Sequence, residues 1–524
     1  MLTVKTKEIR MHASVRMCLG SAALFAVVGC FAPPLPELRS AAATGGEAEE
    51  TPIAVGVNAA VSPDGRSVAC QRFVRGRSDL LVRDLATGAE TWVEKGGLSA
   101  IHPTWAPDGT LVYSYCSTAA TAHEKWIRPK TDWSKGWILR AWKDGVKTDL
   151  TSTEARDFLP TVTADGKKLY FTTTRGAHGT QTLFSSMSQH LAVCDFAPGS
   201  EVTTFLPPPN SANAGQGQCA VSPDGAYIVW AQIDSFWDNW CLLGARIGTP
   251  KTSVSLLPDD MVGLSPRWHP DSRTLAFAGY REGDEGWSVY LTDVRSGGLR
   301  RICTGDNPSF TPDGKSVVYD RGGTVYRRTL APADFPSRET KPAPDGFGDE
   351  RVLWRADDPV RDTRQPLPPS LAFSDDATFF VRVKAHWSDS KATLQHFVSL
   401  AYGDTRTPDQ ALQVYRDPQG YVSFATRDGG DRFTYLQVLA EKLEKSGDYE
   451  ITGIKSGGRC YLSVNGGMPV QTRFSHGVMS FLKPRSAWFA RGFGTTDSRV
   501  VSVEVGTGWP TTVPRPASRK GVFE

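Results

Sequence analysis

Six polar side chains recur at one place in this chain: Asn58, His102, Asp157, Gln218, Arg267 and Asn307. Each lies just ahead of a short repeated phrase, and each can donate or accept a hydrogen bond. Brought together from six directions, they would suit a peptide or a small polar ligand. The same set would equally line a water-filled channel that binds nothing. A second group able to do chemistry is aromatic. Trp133 and Trp237 stand in loops beside Lys, Asp and Asn, and Trp387 lies near a strand end. An indole face stacks on sugar rings or cations, although burial is the commoner fate of a tryptophan.

Signatures of catalysis are missing. The sequence has no G-x-S-x-G, H-E-x-x-H or P-loop, and no G-x-G-x-x-G after a strand. A jelly-roll glycosidase needs two carboxylates on one concave strand, and the E-x-D-x-x-E spacing is absent. The acids of EKLEKSGDYE (441–450) read as the solvated face of a briefly helical stretch around LAEKLEKSG. Cys70, Cys116, Cys194, Cys219, Cys241, Cys303 and Cys460 are scattered, with no C-x-x-C and no His at ligand spacing, which argues against zinc. Buried thiols explain several of them. One or two disulfides are open in an exported protein, and the odd number leaves at least one thiol unpaired.

The phrase itself organises the elements that would carry the six polar residues. It reads VSPDG (61–65), WAPDG (105–109), TADG (163–166), VSPDG (221–225), WHPDS (268–272) and FTPDG (310–314). Its Asp recurs at gaps of 44, 57, 59, 47 and 42 residues, about the length of one propeller blade. Pro presets φ, Asp bonds its own downstream backbone and Gly accepts φ > 0, so the phrase predicts a tight hairpin rather than a catalytic Asp. An apolar, β-rich run follows each copy. This stretch, residues 50–330, resembles the TolB-type six-bladed β-propeller with its W-S-P-D-G repeats. Ser272 replaces Gly in the fifth copy, and the third lacks Pro before Asp165.

The pattern stops after Thr329. A Pro-, Gly- and charge-rich linker (331–348) precedes short alternating strands over 349–507, with turns supplied by DPQG, RDGG, KSGG and NGG. FFVRVKAHW and YEITGIKSGGRCYLSVNGGMPVQ resemble segments of the concanavalin A-like lectin/glucanase fold of laminin-G type. That resemblance implies a jelly-roll sandwich with a glycan or protein contact. It also raises calcium, with Asp375, Asp376 and Asp404 as oxygen donors, although isolated acids in turns are mostly just solvated. No other cofactor is expected. Residues 508–524 read as a C-terminal tail.

The chain carries a formal charge of +3 over 524 residues. Lys5, Lys7, Arg10 and Arg16 against Glu8 account for all of it, so no basic face points to nucleic acid. These residues precede an apolar run, Leu19–Val28, too short for an ordinary membrane span. The run ends in Val27-Val28-Gly29-Cys30, which resembles a bacterial lipobox. That implies a signal segment over 1–30, lipidation at Cys30 and a tether over 31–49. Phe31, rather than Asp, follows the Cys, which by the same resemblance is compatible with sorting to the outer membrane.

The resulting expectation is an all-β chain, a six-bladed propeller followed by a concanavalin A-like sandwich. It is exported to the periplasm or cell surface and lipid-anchored. It acts as a monomeric, non-catalytic scaffold for an envelope protein or cell-wall glycan. The alternative is an enzyme acting on polysaccharide, a hydrolase or lyase.

Overall fold

The computed structural model describes residues 50–524 apart from 75–76, 117–135, 176–188, 207–214, 234–239, 251, 259–260, 282–283, 285, 340–346, 372–377, 389–393, 402–409, 417–419, 428–434, 444–445, 457–458, 474–483, 492 and 494–496. Cys30, Trp133, Trp237, Asp375, Asp376 and Asp404 lie outside the described residues. Within them the architecture is all-β, with many four-stranded antiparallel sheets of the kind a propeller is built from. No described helix is long and apolar enough to cross a membrane.

Each repeated phrase joins the first and second strands of one four-stranded sheet. The first strands are Val57–Val61, Ala100–Trp105, Asp157–Val162, Gly215–Val221, Met261–Trp268 and Asp306–Phe310. Each of these touches the first strand of the next sheet, and the sixth touches the first, so they close a ring. The turn chemistry repeats with them. Asp64 accepts the Ser62 hydroxyl at 2.6 Å and the Arg66 amide at 3.0 Å. Asp165 does the same with Thr163 and Lys167, Asp224 with Ser222 and Ala226, and Asp313 with Thr311 and Lys315. Asp108 instead takes both groups of Thr110, and the Lys143 ammonium at 2.7 Å. In the fifth turn Ser272 occupies the glycine position at φ 53°, and Asp271 takes the Arg273 and Thr274 amides.

One strand of the ring was not legible as part of a repeat. Glu50–Val55 pairs with Thr324–Thr329 and completes the sixth sheet, so the start of the described chain closes the ring against its last repeat. Neighbouring sheets bury apolar side chains between them. Val112 and Leu139 of the second sheet meet Leu169, Phe171 and Ala192 of the third. Indole groups of the phrase stitch two other seams: Trp105 Nε1 of the second sheet donates to Ala60 O of the first, and Trp268 Nε1 of the fifth to Ala220 O of the fourth, each at 3.0 Å.

Residues 351–507 form two six-stranded sheets over one core. Val381, Val383, Ile451, Val503 and Val505 come from one sheet, and Phe397, Leu412, Val414, Phe424 and Phe489 from the other. Gly453 lies so close under the Phe424 ring that a Cβ there would collide with it. Two expectations are corrected. Where it is described, LAEKLEKSG is not helical: it runs from the end of strand Tyr435–Lys442 to the start of strand Gly447–Ser456, because pairing along Tyr421–Arg427 and Phe379–Trp387 overrides the local helix preference of Glu, Lys and Leu. Trp387 offers no face to a ligand. It is 3% exposed, its Nε1 donates to Gln395 Oε1 at 3.1 Å, and the Arg416 guanidinium lies over its ring.

The seven described cysteines are all free thiols, and no disulfide joins them. Residues after 507 are not a loose tail either. Trp509 packs on Phe347 and Tyr461, and the chain then returns to the fourth and fifth four-stranded sheets. Val522 and Phe523 are buried there, and Tyr227 Oη donates to Phe523 O at 3.1 Å.

Candidate functional site

Every first strand of the ring is interrupted at the same place. The pairing register slips between Val57 and Ala60, Ile101 and Thr104, Phe158 and Thr161, Gly217 and Ala220, Leu264 and Arg267, and Asp306 and Ser309. Within each slip one residue takes the left-handed conformation: Asn58, His102, Leu159, Gln218, Ser265 and Asn307, with φ between 48° and 56°. A bulge of this kind turns a side chain out of the sheet plane. All six lie six residues ahead of the Asp of their phrase.

The bulges converge on one cavity. It is lined by Asn58, His102, Leu159, Gln218, Ser265 and Asn307, together with Ala59, Pro103 and Arg267. Five of the six residues expected from the sequence are therefore brought together, namely Asn58, His102, Gln218, Arg267 and Asn307. Asp157 is not among them. It is fully buried, accepting the Thr173 hydroxyl and the Arg175 guanidinium, each at 2.6 Å. Leu159 takes its place at the ring, and Ser265 holds the bulge position beside Arg267. The constant six-residue offset from the phrase was the signal that matching by polarity missed.

The bulge amides are satisfied mainly from the preceding sheet. Asn58 N donates to Asp320 Oδ2 at 2.9 Å, His102 N to Gln71 Oε1 at 2.7 Å and Leu159 N to Ser114 Oγ at 3.1 Å. In the fourth and fifth sheets the corresponding positions are Ala231 and Ala278, which offer no acceptor. There Ser265 N uses Gln218 Oε1 at 2.8 Å, and Asn307 N uses Asp306 Oδ1 at 2.7 Å. A side-chain relay runs on from Ser265 Oγ to Asn307 Oδ1, and from Asn307 Nδ2 to Asp320 Oδ2 at 3.0 Å.

Charge is unevenly spread. Burial pushes the His102 imidazole down to about 3, with Arg156 and Arg267 adding to the effect, so the ring is neutral at ordinary pH. Burial also lowers Arg267 and brings Arg156 to about 10. On the other side, Asp306 and Asp320 face each other across one strand pair. Burial raises both, and Asp306 helps lift Asp320 to about 8. This pair holds backbone and Asn307 rather than lining the cavity. Among the described residues no cluster of His, Cys, Asp and Glu is placed to hold a metal.

No protein-family model matches the chain. An uncharacterized protein of Agrobacterium fabrum is 29% identical over 109 residues, 20% of this chain and 35% of the relative. A protein TolB homolog of Chlorobium chlorochromatii is 30% identical over 121 residues, 23% of this chain and 24% of the relative. The chain thus spans about a third or less of the length of these curated relatives. Among solved structures, a putative TolB from Agrobacterium tumefaciens aligns with a TM-score of 0.38 and 14% identity, over 52% of this chain and 90% of that one.

Proposed function

We propose that this protein is an exported, non-catalytic binding protein of the bacterial envelope. Its six four-stranded sheets are the blades of one TolB-like propeller over 50–330. Its two six-stranded sheets are a concanavalin A-like sandwich over 349–507 that adds a protein or glycan contact. Cys30 carries a lipid anchor, and 31–49 tethers the first blade to it. The observation that carries the reading is the ring: six bulges, one per sheet, turn their residues onto a single cavity. Nothing in the turns requires the bulges, and a bulge repeated beside a cavity suits a site built for contact.

The test uses residues 31–524 immobilised against envelope proteins and purified peptidoglycan, with a glycan array run in parallel. Replacing His102 and Arg267 together is expected to abolish saturable capture. Capture that survives the double variant and disappears on deleting 349–524 would move the site to the sandwich. Labelled palmitate incorporation, lost in Cys30→Ser, tests the anchor.

One observation favours the enzymatic alternative. Asp306 and Asp320 are opposed carboxyls that burial raises together, and a raised carboxyl is what the general acid of a glycoside-cleaving site requires. Hydrolysis or lysis of a polysaccharide by the wild type that disappears in Asp320→Asn would establish that reading instead.

A further inference from the structure

The polar atoms left without partners around the cavity are chiefly donors. Asn58 Nδ2 is buried with no acceptor, and His102 Nδ1 is buried with no partner of either kind. Arg267 lines the same cavity, and among the described residues the one hydrogen bond its guanidinium makes is Nη1 to the adjacent Pro266 O at 2.9 Å. Arg156, whose charge is felt at His102, stacks its guanidinium 4.6 Å from the Phe158 ring centroid and leaves Nε unpaired. Among the described residues neither arginine has a carboxylate partner. Both guanidiniums are half-buried, and a partly desolvated cation without a counter-ion is costly, so proteins pair such groups or use them to hold an anion. The buried acids Asp306 and Asp320 of the neighbouring sheet do not fill that role. Asp320 Oδ2 is engaged by Asn58 N and Asn307 Nδ2, and Asp306 Oδ1 by Asn307 N.

Size narrows the class of anion. The void has about 20 Å³ available to water centres, room for one or two waters. That matches the two oxygens of a carboxylate entering tip-first from a chain end or an extended side chain. A pyranose ring does not itself enter such a space, so a sugar acid could present only its carboxylate there. A planar guanidinium recognises this group through paired parallel donors, which Arg267 has free.

We propose that the cavity binds a carboxylate of a peptide or protein ligand, with Arg267 as the principal donor and Asn58 and His102 completing its shell. This rests on the channel-mouth reading above and names the chemistry it recognises.

Matched probes test it on residues 31–524 at constant ionic strength: N-acetyl-dialanine against its C-terminal amide, and glucuronate against glucose. At tenfold excess over its Kd, the peptide acid is expected to raise the propeller melting temperature by roughly 3–6 °C, and the amide not at all. Arg267→Gln should abolish the rise while melting cooperatively without ligand. Asn58→Gly, which keeps the left-handed backbone, should weaken binding about tenfold. It also provides the comparison should Arg267→Gln fail to fold. Equal responses to acid and amide, or a response retained in both variants, overturn the inference. A response to glucuronate but not to the peptide acid overturns it in favour of a sugar acid. Wild-type protein that captures an envelope partner through the ring yet shows no acid–amide difference sinks this inference alone. Ring variants that leave capture intact sink the reading beneath it.

Discussion

The two ends of each first strand obey different rules. At the turn end every Asp accepts amides or hydroxyls of its own turn, and similar contacts recur from sheet to sheet, with the Lys143 ammonium added at Asp108 and the Arg338 guanidinium at Asp271. At the bulge end the backbone repeats but the side chains do not: Asn, His, Leu, Gln, Ser and Asn occupy equivalent positions. Two of their buried polar atoms, Asn58 Nδ2 and His102 Nδ1, have no partner among the described residues. The repeated residues build the frame, and the residues that vary at a fixed backbone position are the ones free to recognise something.

The sharpest way to break this contrast is to damage the bulge backbone itself. Gly305, at φ 150°, sits two residues before Asn307, and a Cβ there would lie 2.5 Å from the Tyr319 ring. Gly305→Ala should cost about 3 kcal/mol by denaturant melt, through overpacking and an unfavourable φ, and should abolish capture as well. A benign Gly305→Ala would mean that the bulge geometry is not fixed.

Next in size is a pH effect. The Asp320 carboxyl is raised in the folded state to about 8, above its unfolded value. Its stabilising contribution is therefore full in acid below about pH 4 and is lost as pH rises through 8. Melting temperature should fall between pH 5 and pH 9 in the wild type, and much less in Asp320→Asn. Matching slopes for the two proteins would contradict the buried pair.

Asp64→Ala probes the turn end. It removes the acceptor for Ser62 Oγ and Arg66 N and should cost about 1–2 kcal/mol in a melt, with capture unchanged. The smallest expected change in stability is at Arg267. Removing a half-buried cation that has no carboxylate partner among the described residues should leave the unliganded melting temperature equal or slightly higher. A clear loss would assign Arg267 a structural role.

Much of the frame was legible because turn chemistry is local. Pro, Asp and Gly within one phrase dictate a hairpin with no help from distant residues. The closing strand Glu50–Val55 was not, since its partner Thr324–Thr329 lies at the other end of the ring. The register of the site was half legible. Polarity alone picked out Asp157, whose carboxylate is consumed by Thr173 and Arg175, and passed over Leu159 and Ser265. Backbone offset carries information there that side-chain chemistry does not. Trp387 illustrates the opposite limit. A tryptophan near a strand end reads the same whether it faces solvent or, as here, packs in a core and spends its N–H on Gln395.

Capture of envelope components by wild-type 31–524, by Asp64→Ala and by Arg267→Gln, with each protein's melting temperature measured alongside, separates frame from recognition in one experiment. The account predicts that Asp64→Ala melts lower and captures normally, whereas Arg267→Gln melts normally and captures at least tenfold less. The reverse pattern, or capture indifferent to Arg267, would contradict it.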